Sequence, residues 1–262
     1  MKPASVKRLG FLLPSLVGTL GFFLVPLCYC LIFSMSATFG RFTFAGVQNF
    51  VSLFGSHTFL LALKNTFLLM FVYIAALLLL SLAVDYLLDN TKAVMGMLTV
   101  SAVVMFLPSA LVVSCISAFP VLYEGMPRLG FFLMFLWKHL GINCLILKTA
   151  SAQMDPGWLE AAQLDGAGKF RAFCQIEFFH LLPHLKFLFI FDTICFFKMF
   201  RESYLLYGLY PPEPVYMIQN FFFNNFQNAN YQRLSSGAVI TVALLFAVNL
   251  LVYKAGEKHE LL

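Results

Sequence analysis

Residues 155–170 read Asp-Pro-Gly-Trp-Leu-Glu-Ala-Ala-Gln-Leu-Asp-Gly-Ala-Gly-Lys-Phe, and the polar, helix-forming character continues to Leu182-Pro183. Strongly apolar runs flank the stretch on both sides. Asp155 is a good N-cap, and Pro156 suits the first helical position, where a missing N–H costs nothing. Trp158 to Leu164 are helix formers, and Gly166 can take the left-handed conformation that ends a helix. A second helix is predicted from about Gly168, with Phe170, Phe173 and Ile176 at three-residue spacing on one face. Lys169, Arg171 and Glu177 are left for the other face. The prediction is a helix–turn–helix within a polar loop spanning about 150–183. Small Ala161 and Ala162 allow close approach of a partner, and Glu160 offers it an acceptor. An amphipathic helix lying on lipid headgroups fits this local pattern as well.

Composition sets the surroundings of that loop. The chain has 262 residues, 61% hydrophobic and 11% charged, with 32 Phe and a mean hydropathy of +0.85. Soluble domains carry about 25% charged residues, so a water-soluble core is excluded. An all-α polytopic membrane protein of about six spans is expected, since ~20 apolar residues cross a ~30 Å hydrocarbon core. The net charge of +5 comes with no basic stripe on a soluble fold, so nucleic acid is not an expected partner. Six cysteines lie mostly in apolar runs without C-x-x-C spacing, implying neither zinc nor a disulfide framework.

The whole of 1–262 is read as one transmembrane domain. Lys2, Lys7 and Arg8 before an apolar run imitate a signal peptide, but that run is too long and no A-x-A site closes it. It is read as a retained first span, about 11–35, and the remaining spans fall between about 65 and 253. The third, about 94–120, is interrupted by Pro108. A turn-rich segment, Gly208 to Arg233, precedes the last span. Lys and Arg are biased to one side of these spans. With the amino end inside, ten of the seventeen fall on the cytoplasmic side: Lys2, Lys7, Arg8, Lys92, Lys148, Lys169, Arg171, Lys186, Lys254 and Lys258. Four fall outside: Arg41, Lys64, Arg128 and Arg233. Both termini and the 150–183 loop are therefore expected in the cytoplasm.

The order Glu160-Ala161-Ala162, Asp165-Gly166-Ala167, Ile176 and Leu182-Pro183 resembles the E-A-A loop of ABC importer permeases. The resemblance covers nearly the whole chain. Leu13-Pro14 and Pro26-Leu27, Phe44-Ala45-Gly46, Asn49-Phe50, Leu53-Phe54, Asn65-Thr66, Trp137, Gly141 and the run Phe197–Glu202 are similar to the sugar-type branch. It departs at Phe178-Phe179, where Leu-Pro is usual, and at Lys198 and Arg201, where Gln and Asp are common. The resemblance implies a membrane subunit of a type I importer with no catalytic site of its own. Glu160, Ala161, Ala162, Asp165, Gly166 and Ala167 would touch an ATPase. It also implies two ATPase subunits carrying ATP and Mg²⁺, a second permease subunit (a heterodimer being favoured) and an extracytoplasmic solute-binding protein. The location implied is a bacterial or archaeal inner membrane, and the cargo a carbohydrate.

Passage residues are sought among polar groups inside spans, because an ionisable side chain there costs ~2.5–3.5 kcal/mol unless it faces protein or water. Lys198 is the first candidate, with a pair to Glu202 one turn on as its competing role. Asn143 suits sugar hydroxyls but equally an interhelical hydrogen bond. Asp192 could face a neighbouring subunit, and Phe197 could stack on a sugar. Gly166-Ala167-Gly168-Lys169-Phe170 lacks the first Gly and the Ser or Thr of a phosphate loop. His180 and His184 have metal-like spacing but no Glu partner, so no metal site is expected. A secondary transporter would need inverted repeats and corresponding broken helices. An intramembrane enzyme would need paired catalytic groups at depth, and the sequence supplies neither.

Overall fold

A computed structural model describes residues 13–38 and 43–257. Lys2, Lys7, Arg8, the start of the first span at Phe11, Arg41 and Lys258 lie outside the described residues. Among the described residues the ordered backbone is helical apart from one isolated antiparallel bridge, Ser36 to Phe44. The helices are α1 (Leu13–Ser34), α2 (Gln48–Phe54), α3 (His57–Leu87), α4 (Lys92–Phe106), α5 (Ser109–Ser117), α6 (Pro127–Ser151), α7 (Pro156–Leu164), α8 (Lys169–Tyr207), α9 (Ile218–Gln227) and α10 (Tyr231–Glu257). Five of them, α1, α3, α6, α8 and α10, are long and apolar enough to cross a membrane. The pair α4 and α5 brings the count to six if taken as one broken span, bent by 94°. The cause of the bend is Pro108. Its ring forces Leu107 out of the helical region, to φ −61° and ψ 138°.

Two compact units divide the chain. Residues up to Leu60, with Phe221–Leu245, make one; Leu61–Asn220, with Phe246 onward, make the other. In the first, Phe59 meets Phe54 and Phe221 edge-on, and the Phe59, Phe221 and Phe222 rings crowd the bare Cα of Gly237. Asn49 Nδ2 donates to the Ser34 and Ser36 carbonyls at 3.0 and 2.8 Å, tying α2 to the end of α1. The outer faces of α1 carry exposed Phe22, Phe23 and Val25, as suits a helix bathed in lipid.

The second unit is built around α6. Phe131, Met134, Phe135 and Leu147 on α6 are fully buried, as are Leu181, Leu188 and Phe196 on α8. Polar cross-ties then fix the connections. Asn65 Nδ2 donates to the Glu213 and Tyr216 carbonyls, and the Ile218 N–H donates to Thr66 Oγ1 at 2.8 Å. Asn65 and Thr66 of α3 thus organise the proline-rich segment, from which α9 emerges. The turn-rich reading of Gly208 to Arg233 is corrected here: Ile218–Gln227 is a helix. Its Asn-rich sequence disguised an apolar face of Ile218 and Phe221.

Two boundaries around the polar loop also shift. The fourth span runs on to Ser151, and the second helix of the loop is the start of α8 rather than a separate piece. Leu182-Pro183 does not end it. Pro183 sits inside the helix on an exposed face; it removes one backbone hydrogen bond, and the helix runs on through it to Lys198. The turn widens to a π-helix at Phe173–Glu177 without breaking.

Helices α4 and α6 touch through glycine. A Cβ on Gly141 would lie 2.4 Å from the Ser101 carbonyl carbon and 2.5 Å from its oxygen. Gly141→Val should therefore force the helices apart and cost about 1–3 kcal/mol, the usual range for overpacking. A lowered thermal midpoint of the purified protein would show it. Gly96→Ala, with no atom within 4 Å of the added Cβ, should leave the midpoint unchanged or slightly raised.

Candidate functional site

The short helix α7 is pinned at both ends by the residues that predicted it. Asp155 Oδ1 accepts the Gly157 N–H at 3.0 Å. At the other end Gly166 takes φ +79°, and the Ala167 and Gly166 N–H groups donate to the Ala162 and Gln163 carbonyls at 2.9 and 3.0 Å. Ala162 faces inward and Ala167 is half-buried, while Glu160, Ala161, Asp165 and Gly166 are exposed. All six residues singled out in the loop thus belong to one helix and its C-terminal cap. Trp158 is 60% and Leu164 89% exposed. Beside them runs a groove of about 490 Å³ lined by Trp158, Ala161, Ala162, Asp165, Arg171 and Ile176. Large apolar side chains standing out of a polar loop make a surface suited to being covered.

Where α6 ends, just before α7 in the chain, lies a buried ionic cluster that sequence reasoning missed. Lys148 Nζ sits 3.3 Å from Asp85 Oδ1 and donates to the Asp85 carbonyl at 2.8 Å and to the Leu88 carbonyl. Ser151 Oγ lies 2.8 Å from Asp85 Oδ2 and 2.5 Å from Glu177 Oε1. Its single proton can serve only one of the two at a time. The cluster clasps α3, α6 and α8 together where the chain leaves and re-enters the bundle around α7. The sequence places Lys148 among the loop charges, but it is buried because the end of α3 supplies its partners. The available signal was Asp85 and Lys148, each near the end of an apolar run.

The passage candidates separate into two groups. Asn143 and Asp192 are both fully buried and bound to each other, Nδ2 to Oδ1 at 3.1 Å, with Asn143 also donating to the His139 carbonyl. Asn143 is therefore an interhelical clasp between α6 and α8. Asp192 faces α6 of its own chain rather than a neighbouring subunit. Lys198 and Phe197, by contrast, line an open cavity of about 720 Å³, together with Ser109, Lys138, Arg201 and Glu202. Glu202 pairs with Lys138 at 2.6 Å, across from α6, instead of with Lys198. A turn at Met199 interrupts the helical register that would have stacked Lys198 over Glu202. The bend at Leu107-Pro108 contributes to the same wall, so the cavity sits where two helices are irregular.

His180 and His184 hold their ring centroids 6.3 Å apart, and His180 Nε2 lies 3.1 Å from the Ala150 carbonyl. Among the described residues no three His, Cys, Asp or Glu side chains gather as metal ligands.

Comparison with known proteins bears on both sites. The arabinooligosaccharides transport system permease protein AraP of Bacillus subtilis (strain 168) is 27% identical over 273 residues, covering 91% of this chain and 83% of that one. Among solved structures, a chain of a bacterial ABC transporter involved in the import of the acidic polysaccharide alginate superposes with a TM-score of 0.77. Identity there is 19%, over 97% of this chain and 98% of that one. A chain of the bacterial alginate ABC transporter in complex with alginate pentasaccharide-bound periplasmic protein gives 0.77 at 20% identity, over 95% and 94%. At such identities these two establish the fold. Residues 90–256, which contain α7 with both its caps and the cavity wall from Ser109 to Glu202, match the family described as binding-protein-dependent transport system inner membrane component, and the chain belongs to that family.

Proposed function

We propose that this chain is the membrane-spanning subunit of an ATP-driven ABC importer that passes a carbohydrate or sugar-like solute inward. The observation that carries the reading is α7, a helix capped at both ends that holds Trp158 and Leu164 out of the protein. On this reading an ATPase subunit covers those side chains and accepts Glu160, Ala161 and Asp165 at its surface. ATP and Mg²⁺ are bound by two such subunits and not by this chain. A second, similar permease subunit completes the passage as a heterodimer, and a solute-binding protein delivers cargo at the outer face. AraP's named substrate, arabinooligosaccharides, favours a carbohydrate, as does the alginate of the two superposable transporters.

The chain sits in an inner membrane with α7 and both termini in the cytoplasm. Setting aside the buried Lys148 leaves nine of the ten inward Lys and Arg (ten minus one) against four outward, so the bias that supports this orientation survives. Closure of the ATPases on ATP would move α7 as a rigid piece, and with it the base of α8. Copurification tests the assembly. An affinity-tagged chain extracted in mild detergent should bring down an ATPase subunit in stoichiometric amount, and Trp158→Asp with Leu164→Asp should lose it. A chain recovered with no ATPase at all would overturn the reading.

A further inference from the structure

The cavity at the two helix irregularities has a charge that neutral sugar recognition does not call for. Lys138, Lys198 and Arg201 line it with a single carboxylate, Glu202, so three cations stand against one anion. Glu202 is spent on Lys138 at 2.6 Å and also accepts the Ser109 hydroxyl at 2.9 Å, both through Oε1. The ion pairs Lys138–Glu202, Lys148–Asp85 and Lys169–Asp89 involve neither Lys198 nor Arg201, and among the described residues these two have no acidic partner. Both are exposed to the cavity. Two unneutralised cations on a membrane helix are costly unless water or an anion faces them. Ser109 also begins α5, whose helix start adds partial positive charge to the same wall.

A second, independent feature points to a ligand. Glu202 is 1% exposed, and its Oε2 has no protein partner. A buried carboxylate oxygen without a hydrogen-bond partner is costly, and a solute hydroxyl that reaches it when the cavity wall shifts would satisfy it. Phe106, Phe197 and Tyr204 complete the lining with aromatic surface.

We propose that this cavity is the passage site for an anionic carbohydrate, one carrying a carboxylate or phosphate group. Glu202 Oε2 accepts a hydroxyl, the aromatic rings take the C–H face, and Lys198 and Arg201 hold the acidic group. The assignment deepens the carbohydrate reading and rests on it.

Equilibrium binding to the whole importer, reconstituted in nanodiscs, tests it with three probes: a galacturonic acid trisaccharide, a sugar phosphate and a neutral trisaccharide. At least one of the two acidic probes should bind about tenfold or more tightly than the neutral one, the scale of a charge-assisted hydrogen bond. Binding of that probe should weaken with added salt. Lys198→Gln and Arg201→Gln, both exposed and outside the ion pairs, should each remove most of that preference, and Lys198→Arg should keep it. Whichever acidic probe responds tells carboxylate from phosphate. Neutral and acidic probes binding equally, or a preference unmoved by both Gln variants, would overturn the charge assignment and leave carbohydrate transport standing. Binding of none of the three would overturn both.

Discussion

Glu160→Lys and Gly166→Val should each leave the chain inserted in the membrane and lower solute-stimulated ATP hydrolysis by the assembled importer at least about tenfold, which corresponds to ~1.4 kcal/mol. The two substitutions attack different properties of α7. Glu160 is exposed and makes no contact that holds the helix together, so reversing its charge alters only what a partner meets. Gly166 acts through the backbone. Its φ of +79° is the left-handed cap, and a β-branched residue there is strained by about 1–3 kcal/mol. Nothing lies within 4 Å of the Cβ that Val would add, so the strain is relieved by rearranging the cap and not by a clash in the core. Gly166→Asn supplies the control, because Asn tolerates the left-handed region and should retain most of the stimulation. Normal stimulation in both Glu160→Lys and Gly166→Val would defeat the proposed coupling role.

Lys148→Met should be the most destabilising single substitution of a charged residue in the bundle. It strips the cation from Asp85 while leaving that carboxylate buried beside Ser151 and Glu177. Removing one partner of a buried pair costs about 3–5 kcal/mol, whereas neutralising both is often close to free. At ~2–4 °C per kcal/mol for a chain of this size, the thermal midpoint should fall by roughly 6–20 °C. Adding Asp85→Asn to Lys148→Met should recover most of the loss. Thermal melts of the four variants of this cycle read the coupling directly. An unchanged midpoint in the single variant would mean that the pair is solvated and does not bind α3 to α6.

The parts legible in the sequence were those governed by local chemistry. Asp155, Pro156 and Gly166 announce the ends of α7 by capping alone, and Pro108 announces the bend between α4 and α5. The spans were legible because lipid demands long apolar runs. What escaped reading depends on partners far along the chain. Nothing near Lys148 indicates that Asp85 waits for it, and nothing near Glu202 favours Lys138 over Lys198. Four-residue spacing pointed to Lys198, but the turn at Met199 cancels that register. Asn143 and Asp192 were found as polar groups in spans, yet their mutual hydrogen bond could be known only from how α6 and α8 pack. The helix α9 was hidden because Asn and Pro dominate its neighbourhood, and the tether from Asn65 and Thr66 comes from a span far earlier in the chain.

One continuous helix begins beside the proposed coupling surface and reaches the cavity. From Lys169 to Lys198, α8 covers about 44 Å at ~1.5 Å per residue, well beyond the ~30 Å of hydrocarbon. A rotation of only about 10° at its base would sweep the far end sideways by roughly 8 Å, given that rise per residue. The π-turn at Phe173–Glu177 lies close to the base, so that sweep reaches Lys198 and Arg201 only if the turn stays rigid as the base rotates. On the proposed coupling, small closures outside the bilayer would be geared up into a displacement as wide as a sugar ring.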